Sequence, residues 1–174
     1  LADTGCYEIA FGAETGSQKI LDIIEKRTTI EMNYKTVEYA KKHGIITKAF
    51  IILGIPGEDW DTLKETETFI ANSGIDDFQC AVYMPFKGTK FREEIDNGED
   101  IGLYMLEKEV TGAYGIKGGE TAYETRTKAL SAEDLKSFRN YLVEKYRPGS
   151  HQEKWKNKFF DIAHNTKTEY KIEE

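Results

Sequence analysis

The residues best suited to chemistry lie in three short stretches, "FGAETGSQ" at 11–18, "GIPGED" at 54–59 and "MPFKGT" at 84–89. Glu14 follows the apolar run "YEIAF" and precedes the helical "KILDIIEK". A carboxylate placed there can hold a ligand, accepting hydrogen bonds from two hydroxyls or an ammonium group. It can equally face the positive end of the helix that begins near Ser17. Spacing alone leaves both open. "GIPGED" is either a tight turn in which Pro56 and Gly57 serve geometry, or a loop that lets a ligand approach the main chain. It lacks the Gly-Lys-Ser/Thr of a phosphate loop and is not a Gly-x-Gly-x-x-Gly fingerprint. Cys6 and Cys80 lie far apart, form no Cys-x-x-Cys and cannot build a metal site by themselves. They read as small buried strand residues. His43, His151 and His164 read as capping or surface residues.

Such stretches need a scaffold, and the apolar pattern supplies one. Three runs rich in Ile, Val, Phe or Tyr predict buried strands: "CYEIAF" (6–11), "ITKAFIILGI" (46–55) and "DFQCAVYM" (77–84). Helical patterns separate them. "SQKILDIIEK" is followed by "TTIEMNYKTVEYAKKHG", where Thr28 and Glu31 predict a capping box. Ile30, Tyr34, Val37 and Ala40 make its apolar stripe, and Gly44 supplies a left-handed stop. Asp59 can cap "WDTLKETETFIANSG", in which Trp60, Leu63, Glu67 and Ile70 mark one mostly apolar side and Gly74 ends the helix. Connections of this length predict parallel strands joined by right-handed crossovers, an α/β fold.

Beyond "YMPFKGT" the pattern loosens. "KFREEIDNG" predicts a short helix capped by Thr89, and residues 98–130 are rich in Gly and Tyr without a clear period. Ser131 and Asp134 cap an amphipathic helix with Leu135, Phe138, Leu142 and Tyr146 inward, stopped by Pro148-Gly149. Trp155, Phe159 and Ile162 suggest one more packed helix, and the tail from Asn165 has nothing to bury.

In a parallel sheet the carboxyl ends of all strands share one edge, where ligands bind. "GAETGS", "GIPGED" and "MPFKGT" therefore converge. Each carries glycine and opens a helix, presenting free N–H groups to acceptors. Glu14 stands in that shared rim.

The whole chain narrows the field. Its 174 residues suit one domain, with 39% hydrophobic and 32% charged residues, the balance of a soluble globular protein. A net charge of −7 argues against a nucleic-acid backbone or an anionic membrane as partner. No apolar run approaches a membrane span and no signal peptide opens the chain; two separated cysteines without a disulfide framework lead to the expectation of a reducing, cytoplasmic setting. The opening "LADTGCYEIAF", without Met, suggests a piece of a larger protein.

Taken together, "GCYEIAFGAETGSQKILDIIEKRTTIEMNYKTVEYAKKHGI", "KAFIILGIPGEDWDTLKETETFI" and "FQCAVYMPFKGTKF" resemble the second half of a radical S-adenosylmethionine (SAM) core. The likeness is greatest to members with an N-terminal cobalamin-binding domain, whose wording is near G-(I/V)-E-S-G-S, F-x-I-L-G-L-P-G-E and T-P-x-P-G-T. It runs in order across residues 5–91, and "ETRTKALSAEDLKSFRNYLVEKYRPG" resembles the helix that follows the core.

The resemblance implies a partial (βα) barrel fragment with three parallel strands, the fourth to sixth of a six-stranded core, plus C-terminal helices. It implies that Glu14 reaches the ribose or methionine part of SAM, with Ser17 in the same turn. Ile52 to Gly57, including Gly54 and Pro56, would lie along the adenine through main-chain contacts. Met84 to Thr89, including Lys87, would form the substrate rim. Some positions depart from the pattern. Thr15 replaces Ser but keeps a hydroxyl, Phe50 stands where some relatives have an acidic ribose contact, and Met84 and Lys87 stand where Thr and Pro are usual. The Cys-x-x-x-Cys-x-x-Cys that holds the family's [4Fe–4S] cluster has no counterpart. Gly118-Gly119-Glu120 shares letters with the family's SAM-amine motif but follows Glu14 instead of preceding it.

On this resemblance, residues 1–97 are the C-terminal half of the barrel, 98–164 a loop and helical extension, and 165–174 a loose tail. The complete enzyme, of oxidoreductase or methyltransferase type, would cleave SAM reductively to a 5′-deoxyadenosyl radical and take hydrogen from an unactivated carbon. This piece would supply the adenosine-facing wall and the substrate rim, with no catalytic residue or metal ligand of its own, and be inactive alone. SAM and the cluster, with cobalamin in that subgroup, belong to the full-length protein, and none is expected to stay bound to this piece. Its expected partners are the missing N-terminal half of the barrel, a small-molecule substrate, and a second copy through the cut sheet edge. Two other functions fit the residues: a non-catalytic nucleotide or small-molecule binding module, and a domain that docks a protein partner through the Tyr-rich 98–130 segment and terminal helices.

Overall fold

The computed structural model describes residues 1–110 and 122–147, with the side chains of 1–106 and 124–147. A 3-10 turn at Ala2–Thr4 leads into β1 (Glu8–Glu14), α1 (Gln18–Ile23), α2 (Ile30–Lys42), β2 (Ile46–Leu53), α3 (Trp60–Ser73) and β3 (Asp77–Val82). After them come α4 (Lys90–Asp96), β4 (Leu103–Val110), β5 (Ala122–Thr127) and α5 (Ala132–Tyr146). The three expected strands form one parallel sheet in the order β1-β2-β3. This is an α/β fold.

Strand alternation gives the sheet two unlike faces. Ala13, Ala49, Ile51, Leu53, Phe78 and Cys80 are buried against helices, with Leu63, Phe69 and Ile70 from α3 and Leu135 and Leu142 from α5. Each fully buried large apolar side chain of this set contributes roughly 1.5–3 kcal/mol. Phe69 also meets Tyr34 of α2 edge-on, ring centroids 5.2 Å apart. On the other face Ala10, Phe50, Gln79 and Ala81 are exposed, and Gly12, Phe50 and Gln79 stand in one row across the three strands.

The helix ends follow local chemistry. α2 is capped one residue later than expected, by Thr29, whose hydroxyl accepts from Met32 N at 3.1 Å. Thr28 does not cap: Glu25 and Arg27 both adopt left-handed backbone (φ 53° and 57°) to turn the chain out of α1, and the first helical residue becomes Ile30. Gln18 Oε1 accepts from Ile30 N at 3.1 Å, satisfying another free amide of that helix start. Asp59 caps α3 in a full box with Thr62, and Gly74 ends it at φ 73°. Glu67 lies on the apolar side of α3 because Tyr141 OH (2.6 Å), Tyr146 OH (2.8 Å) and Lys145 Nζ (3.0 Å) of α5 converge on its Oε1. Ser131 and Asp134 cap α5 as expected. Thr89 precedes α4 without capping it, since its hydroxyl donates to Phe86 O at 2.7 Å.

The stretch expected to lack a period holds an antiparallel pair, β4 and β5, with Leu103 opposite Thr127 and Met105 opposite Thr125. β5 buries threonines where an apolar alternation would announce a strand. The Pro148-Gly149 stop, the Gly118-Gly119-Glu120 segment, His151, His164, the helix expected around Trp155, Phe159 and Ile162, and the tail lie outside the described residues. Among the described residues no helix is long and apolar enough to cross a membrane.

Candidate functional site at the carboxyl edge of the sheet

Glu14 closes β1 at φ 64°, a left-handed conformation uncommon for a residue with a side chain, where the pairing register with β2 shifts. This bulge folds its side chain back over Gly12, so that a Cβ on Gly12 would fall 2.3 Å from Glu14 Oε1. The partner that the fold supplies is a cation: Lys26 Nζ donates to Glu14 Oε1 at 2.6 Å, and the carboxylate is largely buried. Lys26 went unnoticed in the sequence because nothing in "IIEKRTT" separates it from a solvated charge. The left-handed residues on either side of it, Glu25 and Arg27, belong to the turn that carries it to Glu14.

The turn after β1 is fastened to the middle of α3. The Thr15 and Thr66 hydroxyls lie 3.0 Å apart, Gly16 N donates to Thr66 Oγ1 at 3.0 Å, and Ser17 N donates to Thr15 Oγ1 at 3.1 Å. Gly16 permits this approach, since a Cβ there would sit 2.5 Å from Glu65 O and Thr66 Cα. Lys19 Nζ reaches Asp59 Oδ2 at 2.8 Å. Ser17 is fully buried, and its hydroxyl has no partner among the described residues.

Within "GIPGED", Gly54 and Gly57 take φ 86° and 82°. Pro56 is buried, Gly57 is exposed and Ile52 is half-buried on the open face of the sheet. The turn closes on Glu58, which is 1% exposed. Its Oε2 accepts from Gly54 N, and Oε1 is buried without a partner among the described residues. Burial pushes the Glu58 carboxyl up to about 7, against the Gly54 and Ile55 N–H groups, which favour the charged form. Sequence reasoning placed Glu58 in the motif but gave it no role.

In the third loop Met84 is half-buried, while Lys87 and Thr89 are exposed. This loop joins the others indirectly. Lys90 at the start of α4 pairs with Glu25 at 2.7 Å, and Thr125 of β5 donates to Tyr83 O at 2.7 Å. Thus Glu14 ends β1, Ser17 lies in the turn that follows, and Gly54, Pro56 and Gly57 lie in the loop after β2, which a Lys19–Asp59 pair links to α1. No described bond ties Glu14 to Met84, Lys87 or Thr89. Among the described residues no three His, Cys, Asp or Glu side chains gather as a metal site. Cys80 is buried, its thiol pushed up to about 12 by burial, so it does not suit a cluster that needs thiolates.

Comparison with known proteins fits this architecture. Residues 1–70 match the sequence profile of the Radical SAM superfamily. The chain is 31% identical over 104 residues to the anaerobic magnesium-protoporphyrin IX monomethyl ester cyclase of Rubrivivax gelatinosus, covering 60% of this chain and 18% of that protein. It is 22% identical over 158 residues to the cytidylyl-2-hydroxyethylphosphonate methyltransferase of Streptomyces wedmorensis, covering 83% and 30% respectively. With the tRNA-2-methylthio-N(6)-dimethylallyladenosine synthase of Finegoldia magna it shares 30% identity over 119 residues, 66% of this chain and 25% of the other. The chain thus spans less than a third of the length of the curated relatives it matches. A parallel three-stranded sheet, glycine loops gathered at its carboxyl edge and these matches lead to one assignment: residues 1–70 carry a radical SAM superfamily domain.

Proposed function

We propose that this chain forms the adenosine-facing wall and substrate-facing rim of a radical SAM enzyme, as the fourth to sixth strands of a six-stranded (βα) barrel. The observation that carries this reading is the carboxyl edge of the sheet, where the partly buried Glu14–Lys26 pair closes β1 and the turn that follows is bonded to α3. SAM, bound with its cluster, supplies reductive cleavage and the abstraction of hydrogen from an unactivated carbon. This chain's own residues bind and orient it. Glu14 accepts from ribose hydroxyls or an ammonium group, and its charge is supported by Lys26. Ser17 adds a buried hydroxyl that has no partner among the described residues. Ile52 on the open face and the exposed Gly57 would lie along a flat base, with the buried Gly54 and Pro56 shaping the turn that presents them. Met84, Lys87 and Thr89 form the rim toward a small-molecule substrate. The relatives are named for a tetrapyrrole ester, a phosphonate and a tRNA, and the net charge of −7 favours a small molecule over nucleic acid.

Among the described residues no side chains gather as cluster ligands; in this reading the ligands would come from the half-barrel that completes this one. That half would pair with β1. Ile46 N donates to Tyr7 O at 2.9 Å, so by alternation the main chain of Ala10 and Gly12 faces away from β2. The cobalamin subgroup is part of this proposal on motif wording alone. The test is Glu14→Ala in the enzyme with its complete barrel. SAM binding should weaken by roughly 1.5–3 kcal/mol, as for a lost charged hydrogen bond, and the thermal midpoint should also fall as Lys26 loses its partner. Unchanged SAM affinity overturns the reading.

A further inference from the structure

We propose that β5 is a strap holding the substrate-facing loop at a fixed distance from the adenosine-facing loop, with Thr125 and Thr127 as its two positioning residues. What those loops hold rests on the function proposed above; the strap itself rests on the contacts. Thr125 and Thr127 are two apart in a strand and so share one face. Each is 1% exposed. Thr125 Oγ1 donates to Tyr83 O at 2.7 Å, at the start of the loop after β3. Thr127 Oγ1 donates to Glu58 O at 3.0 Å, at the end of the loop after β2. The same hydroxyl oxygen accepts from Leu130 N (3.0 Å) and Ala129 N (3.3 Å). With those N–H groups on its lone pairs, its single proton is directed to Glu58 O. One strand thus grips two neighbouring loops through two main-chain carbonyls.

The strap is anchored on its far face and at its end. Arg126 lies over the Tyr104 ring of β4 at 4.1 Å, and Glu124 pairs with Lys136 of α5. Leu135, in the first turns of α5, fills the space beside Gly54, where a Cβ would fall 2.9 Å from its Cδ1. Valine at 125 and 127 would bury as well as threonine and would remove the side-chain donor to each carbonyl, so the hydroxyls are the informative choice. Hydrogen abstraction needs the reacting atoms about 3–3.5 Å apart. A strap between the two loops would set that separation.

Amide hydrogen exchange on this chain tests the strap, comparing the wild type with Thr125→Val, Thr127→Val and the two Thr→Ser variants. Either valine variant should speed exchange in both loops, 54–58 and 84–89, roughly five- to tenfold, as for loss of one hydrogen bond. Serine at either position should restore wild-type rates. Should a valine variant fail to fold, Thr125→Ala and Thr127→Ala are read the same way. If each variant loosens only the loop it touched, or if serine behaves like valine, the strap is overturned. The experiment needs no SAM, so its failure removes the strap alone, whereas unchanged SAM affinity in Glu14→Ala removes the cofactor reading and leaves the strap standing.

Discussion

At the scale of single residues, Glu58 gives the clearest measurable consequence. Its carboxyl ordinarily titrates near 4.5 and in the fold near 7, raised by burial. The folded state therefore holds this proton more tightly than the unfolded chain. The resulting stability is complete below pH 4.5 and is lost as the pH rises through about 7, a change of about 3 kcal/mol. Glu58→Gln should remove that pH dependence: urea unfolding at pH 5 and pH 8 should favour the variant over the wild type more at pH 8. An equal difference at both pH values would refute it. The two glycines of the first loop make a contrasting pair. A Cβ at Gly16 meets the main chain of α3, which cannot yield, and Gly16→Ala should destabilise by roughly 1–3 kcal/mol. At Gly12 the obstacle is the end of the Glu14 side chain, which can swing away. Gly12→Ala should therefore lose less stability in the same denaturation assay while freeing Lys26.

At the scale of elements, α3 begins where two loops meet, so its cap serves a helix and a junction together. Asp59 accepts from Asp61 N and Thr62 N and also binds Lys19 of α1. Asp59→Ala should lower stability by about 1 kcal/mol through the lost cap. Asp59→Asn keeps the cap and weakens the exposed ion pair, which should change stability by less than about 1 kcal/mol. Equal urea midpoints for the two variants would show that capping is not what matters there. The caps of α3 and α5 were legible because capping chemistry lies within four residues of sequence. The cap of α2 was displaced by one residue because the turn before it needs left-handed backbone at Glu25 and Arg27. β4 and β5 escaped notice because β5 faces the rim with hydroxyls, where burial is made favourable by two carbonyls contributed from elsewhere.

At the scale of the whole molecule, the sheet has unlike edges. The outer side of β3 is covered from α5, where Arg139 Nε donates to Cys80 O at 3.1 Å and Arg147 Nε reaches Asp77 Oδ1 at 2.8 Å. Beyond β1 no strand pairs among the described residues. An open strand edge is a template for another chain. Under the proposed function, this chain studied alone should self-associate through β1 with rising concentration, as sedimentation would detect; a monomer at the highest attainable concentration would count against it.

The sequence by itself determined the α/β class, the three strands and their order, the helices between them, and the edge at which the glycine loops gather. Those features follow from periodicity and crossover length, which are local properties of the chain. Only the tertiary structure decided what the loops do to one another. Lys26 meets Glu14 across 12 residues, Thr66 meets Gly16 across 50, and Thr127 meets Glu58 across 69. Each of these contacts joins a residue of ordinary type to a partner that sequence distance conceals. A charge or hydroxyl at the surface of one element acquires a role only when a second element removes water from around it and leaves one partner within reach.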